Sequence, residues 1–237
     1  MSQLLYRRAG RSAGRLITGV TAVALPAAFA VSATTPAYAA TPAQVSVVGG
    51  TTLAYGGGTE QSSNVFVFLE NGEVTVTDAA PLTVGLGCRI VQVGRAKCGT
   101  GITRVSMTLG DRSDKVRIDL PLTGRVEGGD GDDTFLVNPT GTGFSRVTYD
   151  GGAGLFDTVD YSLRSVGVEA SLDNVANDTG TGHRDNVLDT VEHLVGSRGS
   201  DTLIGSSARN VIDGRAGNDT LRGLGDSDKF LSGSSGD

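Results

Sequence analysis

Aspartate or asparagine recurs every nine residues near the C-terminus, at Asp201, Asn210, Asp219, Asp228 and Asp237. Five places before these stand Gly196, Gly205, Gly214, Gly223 and Ser232. Two places after the first four stand Leu203, Ile212, Leu221 and Phe230. The spacing is that of the nonapeptide G-G-x-G-x-D-x-U-x, where U is a large apolar residue. Carboxylates set in glycine turns suit a hard cation. Glycine at the first, second and fourth places permits positive φ, so a tight turn can aim carbonyl oxygens at one point. The aspartate adds an anionic oxygen, and Ca²⁺ takes about six to eight oxygen ligands.

Such turns need a scaffold. After each comes a short strand such as Asp219-Thr220-Leu221-Arg222. Side chains alternate along a strand, so the apolar eighth residue points inward while its neighbours face water. One repeat cannot bury its apolar side alone, whereas stacked repeats can. Glycine- and serine-rich sequence is also the composition of flexible linkers, but a linker has no reason to place large apolar residues at intervals of nine.

On these residues the chain resembles the hemolysin-type, or RTX, calcium-binding repeat proteins. The likeness is clearest over 196–237 and returns as a full motif at Gly128-Gly129-Asp130-Gly131-Asp132-Asp133-Thr134-Phe135. A copy with one extra residue before its acid runs from Gly151 to Val159 and contains Asp157. A weaker copy surrounds Asp114, with Arg112 where a glycine belongs. The resemblance implies an all-β, right-handed parallel β-roll with two nonapeptides per coil. Turns would then alternate between two edges, with each ion shared by aspartates and loop carbonyls of successive turns. One edge would carry Asp201, Asp219 and Asp237, with Gly196, Gly199, Gly214 and Gly217 in its turns. The other would carry Asn210 and Asp228. Ala208 and Asp226 replace the fourth-place glycine there, and Asn210 is a weaker ligand than aspartate. Further sites are implied at Asp114, at Asp133 with Gly128, Gly129 and Gly131, and at Asp157, with Arg112 a hindrance to the first. The likeness is to exported Gram-positive members.

The N-terminus reads as an export signal. Arg7, Arg8, Arg11 and Arg15 precede an apolar stretch over 16–31, and Ala37-Tyr38-Ala39 is an A-x-A cleavage site. Secretion into the extracellular space is the expectation, with no membrane span in the mature chain. Removing residues 1–39 takes away four arginines and no acid, moving the formal charge from −6 to −10. That balance disfavours nucleic acid as a partner and suits divalent cations. In an oxidising compartment Cys88 and Cys98, the two cysteines present, are expected to form a disulfide.

Glycine makes up 36 of the 237 residues and aromatics only 5%, so a narrow stack of Val, Leu and Ile fits better than a broad globular core. Strands are expected over 44–48, 64–69, 73–77, 89–93 and 104–109. The predicted organisation is a signal peptide (1–39), an N-terminal cap or first coils (40–108), irregular β-roll coils (109–195) and regular repeats (196–237). A separate small β-sandwich is the alternative for the N-terminal part. The polar loop 173–186, with Asp173, Asn177, Asp178 and Asp185, reads as solvated.

No enzymatic activity is expected. The sequence has no H-E-x-x-H and no P-loop, and its G-x-S-x-G, Gly10 to Gly14, falls in the signal peptide. His183 and His193 lack an accompanying nucleophile motif. The expected function is a secreted calcium-binding protein that folds on binding. The alternative is an accessory or truncated part of a larger extracellular enzyme or adhesin, because the chain stops within a repeat at Asp237. A cell-wall or carbohydrate partner is compatible with a long sheet face, and the sequence identifies none.

Overall fold

A computed structural model describes residues 40–139, 144–178 and 184–232. The export signal, His183 and Asp237 lie outside the described residues. Within them the regular elements are all strands. In chain order these are β1 (Ala43–Val48), β2 (Thr52–Gly56), β3 (Asn64–Glu70), β4 (Glu73–Thr77), β5 (Leu82–Val84), β6 (Arg89–Gln92) and β7 (Arg95–Lys97). They are followed by β8 (Arg104–Asp111), β9 (Lys115–Ile118), β10 (Thr123–Asp130), β11 (Thr134–Val137), β12 (Arg146–Ala153) and β13 (Thr158–Asp160). The last are β14 (Glu169–Ser171), β15 (Asn186–Val187), β16 (His193–Val195), β17 (Thr202–Ile204), β18 (Val211–Arg215), β19 (Thr220–Arg222) and β20 (Lys229–Ser232). No helix among the described residues is long and apolar enough to cross a membrane.

Strict alternation makes these segments strands. In β8 Val105, Met107 and Leu109 are buried, while Arg104, Ser106 and Thr108 are exposed. Parallel pairing then stacks like on like. One sheet runs β15-β12-β10-β8-β2-β1-β5 and a second runs β20-β18-β16-β13-β11-β9-β3-β4-β7-β6. Every pairing from β2 to β15 in the first, and from β3 to β20 in the second, is parallel. The chain visits the two sheets in turn, so their buried faces share one apolar core. Phe135 of the second sheet meets Tyr149 of the first at 5.6 Å between ring centroids. Burying each such side chain contributes about 1.5–3 kcal/mol.

The N-terminal end differs. β1 pairs with β2 antiparallel, and β4, β7 and β6 continue antiparallel from β3. A Cys88–Cys98 disulfide joins the β6–β7 hairpin region, as expected from the paired cysteines. Thus residues 40–108 supply both an antiparallel end and, in β2 and β3, the first parallel rung. β8 runs unbroken through residue 108 to Asp111.

A third sheet, β14-β17-β19, starts just before β15 and from β16 onward takes the place of the first in alternating with the second. The rung period there is constant: Leu203 pairs with Leu221, and Ile212 with Phe230, each 18 residues apart. Earlier rungs are irregular. Val116 pairs with Phe135, Phe135 with Val159 and Val159 with Leu194. The loop expected to be solvated proves partly internal, since Asp178 and Asp185 are buried. The reason is backbone capping. Asp185 accepts the Val147 N–H, and Asp178 accepts those of Ser171 and Val187.

Candidate metal centre

The residue immediately before each parallel strand of the second sheet, from β3 to β20, stands on a single edge. These residues are Ser63, Asp114, Asp133, Asp157, Glu192, Asn210 and Asp228. Their side chains cap one another's backbone. The Ser63 N–H donates to Asp114 Oδ1 at 2.5 Å, Asp114 N–H to Asp133 Oδ1 at 2.8 Å, and Asp133 N–H to Asp157 Oδ1 at 2.7 Å. Asp157 N–H donates to Glu192 Oε2 at 3.0 Å, and Asn210 N–H to Asp228 Oδ1 at 2.9 Å. The other edge repeats the pattern: Val168 N–H donates to Asp201 Oδ1 at 2.8 Å, and Asp201 N–H to Asp219 Oδ1 at 2.9 Å. Asp201 and Asp219 thus lie on one edge and Asn210 and Asp228 on the other.

Each carboxylate spends one oxygen on the neighbouring rung. The second oxygen distinguishes the turns. Oδ2 of Asp114, Asp133 and Asp157 is buried without a hydrogen bond. A buried carboxylate oxygen with no partner is costly. Desolvation accordingly pushes the Asp133 carboxyl up to about 7, opposed by the hydrogen bond from Asp114 and reinforced by the charges of Asp157, Asp114 and Asp132. Burial likewise raises Asp114 and Asp157 to about 6 each. Asp201 differs in that Ser197, the second residue of its turn, reaches both of its oxygens. Ser197 Oγ donates to Asp201 Oδ1 at 2.7 Å, and Ser197 N–H to Oδ2 at 2.8 Å. Burial still raises the Asp201 carboxyl, but both its oxygens are bonded within the protein.

Glycine is required where the turns meet. A Cβ on Gly128 would collide with Asp133 Oδ2 and with the Gly151 carbonyl of the next turn. A Cβ on Gly196 would collide with Asp201 Oδ2 and the Gly214 carbonyl in the same way. The turn at 128–133 therefore has the geometry of the regular repeats. Gly129 and Gly131 take φ of 111° and 115°, and Gly217 takes 133°. In the repeat turns the non-glycine residues Arg112, Arg215, Leu224 and Asp226 also take positive φ. Arg112 occupies its turn in this way, and its guanidinium pairs with the exposed carboxylate of Glu60.

These donors fit a hard cation. Between the turns of Asp133 and Asp157, the Gly151 carbonyl lies beside Asp133 Oδ2, and the Gly131 carbonyl lies beside Asp157 Oδ2 where each flanks a glycine. Two orphaned carboxylate oxygens with adjacent carbonyls are a donor set of oxygen alone, as Ca²⁺ prefers. Among the described residues no three His, Cys, Asp or Glu side chains converge as a metal cluster, so carbonyls must complete any coordination. In the last repeats Asp219 and Asp228 also turn Oδ2 toward the first glycine of their own turns, Gly214 and Gly223 respectively. Gly199 packs against the backbone at Gly167, and the Gly217 position lies against the Gly199 carbonyl.

Sequence reasoning missed Glu192 and Ser63 as members of the edge. A signal existed for Glu192, which stands two residues before the buried Leu194, the spacing of the repeat's acid and apolar places. The extra residue in the Asp157 turn has a visible consequence. Leu155 and Phe156 project into solvent, and their N–H groups donate to Asp132 Oδ1.

Residues 195–230 match the family model of the RTX calcium-binding nonapeptide repeat, in four copies. No curated protein matches the chain.

Proposed function

We propose that this protein is a secreted, non-enzymatic calcium-binding β-roll that completes its folding outside the cell when calcium binds. The single observation that carries the reading is the stack of buried Oδ2 atoms of Asp114, Asp133 and Asp157, which have no hydrogen bond. The repeat match over residues 195–230 supports the same ligand at the other end of the chain. Bound calcium would supply positive charge and accept oxygen lone pairs between successive turns. Asp133 and Asp157, with the Gly131 and Gly151 carbonyls, would hold one ion. Asp201 with Asp219, and Asp219 with Asp237, would hold others, and the Asn210–Asp228 interval would hold one weakly or not at all. Asp114 with Asp133 forms a further candidate pair.

Folding follows from the same residues. Without a cation, stacked carboxylates repel one another and leave buried oxygens unpaired. Any ligand of the folded state alone adds directly to its stability. Extracellular calcium modules typically work at about 10⁻⁴–10⁻³ M. A calcium-poor cytoplasm would thus leave the chain unfolded for export through the N-terminal signal, as in Gram-positive secretion.

The test is circular dichroism with amide exchange on the mature protein, first in chelator and then in millimolar calcium. The expected result is a gain of β-structure and of amide protection across residues 196–237. Full protection in chelator would overturn the folding switch, and no calcium uptake by calorimetry would overturn the binding itself.

A further inference from the structure

The outward face of the first sheet carries a row of uncompensated arginines on an acidic protein. Register places Thr52, Arg104, Thr123 and Arg146 side by side on consecutive rungs of β2, β8, β10 and β12. Arg104 and Arg146 are exposed, and neither makes an ion pair among the described residues. Arg184 is also exposed, and its N–H donates to the Ser145 carbonyl, so it flanks Arg146 one rung further on. Arg125, in the adjoining row, is instead held by Glu127 and Asp150. Rungs are about 4.8 Å apart, which sets Arg104 and Arg146 roughly 10 Å from each other.

We propose that this face binds a linear acidic polysaccharide. The charges are complementary, and the consecutive parallel rungs give the polymer an extended track. A polymer with one carboxylate per disaccharide presents its charges at about the interval of the two arginines. Between and beside them, the hydroxyls of Thr123, Ser106 and Thr148 are available to sugar hydroxyls. Nucleic acid is the weaker fit. The strands of this sheet present no outward aromatic side chain and the one exposed ring beside the row is Phe144, two residues before Arg146, whereas single strands bind chiefly by stacking successive bases on several aromatic rings. The site uses neither glycine-turn edge, so it stands independently of the calcium reading.

The experiment measures binding of the full mature chain to hyaluronan, to neutral dextran and to oligothymidylate, at fixed calcium and two salt concentrations. Wild type should bind hyaluronan, more weakly at high salt, and bind dextran little. The double variant Arg104→Glu/Arg146→Glu should bind about tenfold or more weakly, having lost two charge-assisted contacts. A control double variant, Arg222→Glu/Lys229→Glu, makes the same charge change on the other two sheets and should match wild type. Circular dichroism of both variants checks that the fold is retained. The proposal is overturned if wild type does not bind hyaluronan, if dextran or oligothymidylate binds as tightly, or if the two double variants lose binding equally.

Discussion

The backbone N–H of Asp133 donates to Oδ1 of Asp157 at 2.7 Å, one rung along, while Oδ2 of both carboxylates is buried without a partner. One oxygen therefore holds the stack together and the other is left for a cation. This division of labour makes the pair separable by mutation.

Asp133→Asn keeps an oxygen that can accept the Asp114 N–H while removing the charge. It should weaken calcium binding by about tenfold, or roughly 1.4 kcal/mol. It should also stabilise the calcium-free fold by roughly 1 kcal/mol, because a buried charge costs more than a buried amide. Calorimetric titration and urea denaturation in chelator read the two effects. A variant that binds calcium as wild type does would remove Asp133 from the site.

In the last repeats, Asp219 stands between Asp201 and Asp237, whereas Asp228 follows Asn210. Asp219→Ala should therefore cost more calcium affinity than Asp228→Ala. Equal losses in parallel titrations would show that both edges bind alike.

Calcium-free stability should fall as pH rises from about 4 to 7. The folded-state carboxyls of Asp114, Asp133 and Asp157 are raised to about 6, 7 and 6, against about 3.9 in the unfolded chain. In that window the folded state holds protons that the unfolded state has lost, so raising the pH favours unfolding. Calcium displaces those protons and should reverse the trend. Thermal melts at pH 5 and 7.5, with chelator and with calcium, test the crossing.

Leu224 sits at φ 78° in a repeat place that glycine normally fills. A left-handed backbone costs a side-chain-bearing residue about 1–2 kcal/mol, while glycine adds roughly 0.5–1 kcal/mol of unfolded-state entropy. Leu224 is exposed and leaves little packing to lose. Leu224→Gly should thus stabilise the calcium-bound fold by up to about 1 kcal/mol, measured by denaturant midpoint. Destabilisation would mean that the leucine makes contacts worth more than its strain.

The disulfide closes a loop of sequence separation 10, which corresponds to about 3 kcal/mol on the chain-entropy model. Reduction, or Cys88→Ser with Cys98→Ser, should lower stability by about that amount. Intact mass of secreted protein should show a chain beginning near Ala40 and lighter by two hydrogens than its reduced form.

Much was legible in the sequence because a nonapeptide period has few structural solutions. Glycine at the turn, aspartate at its exit and a large apolar residue two places later specify a turn, a strand and an inward side chain. From Asp201, Asn210, Asp219 and Asp228 alone, the two edges and the rung of 18 residues follow, and Leu203 over Leu221 realises them. The paired cysteines likewise implied their bond. Tertiary structure decided the rest. Between Asp114 and Asn210 the rungs differ in length, so counting cannot show that Asp133, Asp157 and Glu192 share an edge with Asp228. Register emerges only when apolar faces such as Phe135, Val159 and Leu194 stack. Nor does sequence reveal which carboxylate oxygens stay unbonded. That depends on three-dimensional neighbours: the Ser197 backbone N–H reaches Oδ2 of Asp201, whereas no donor reaches Oδ2 of Asp133.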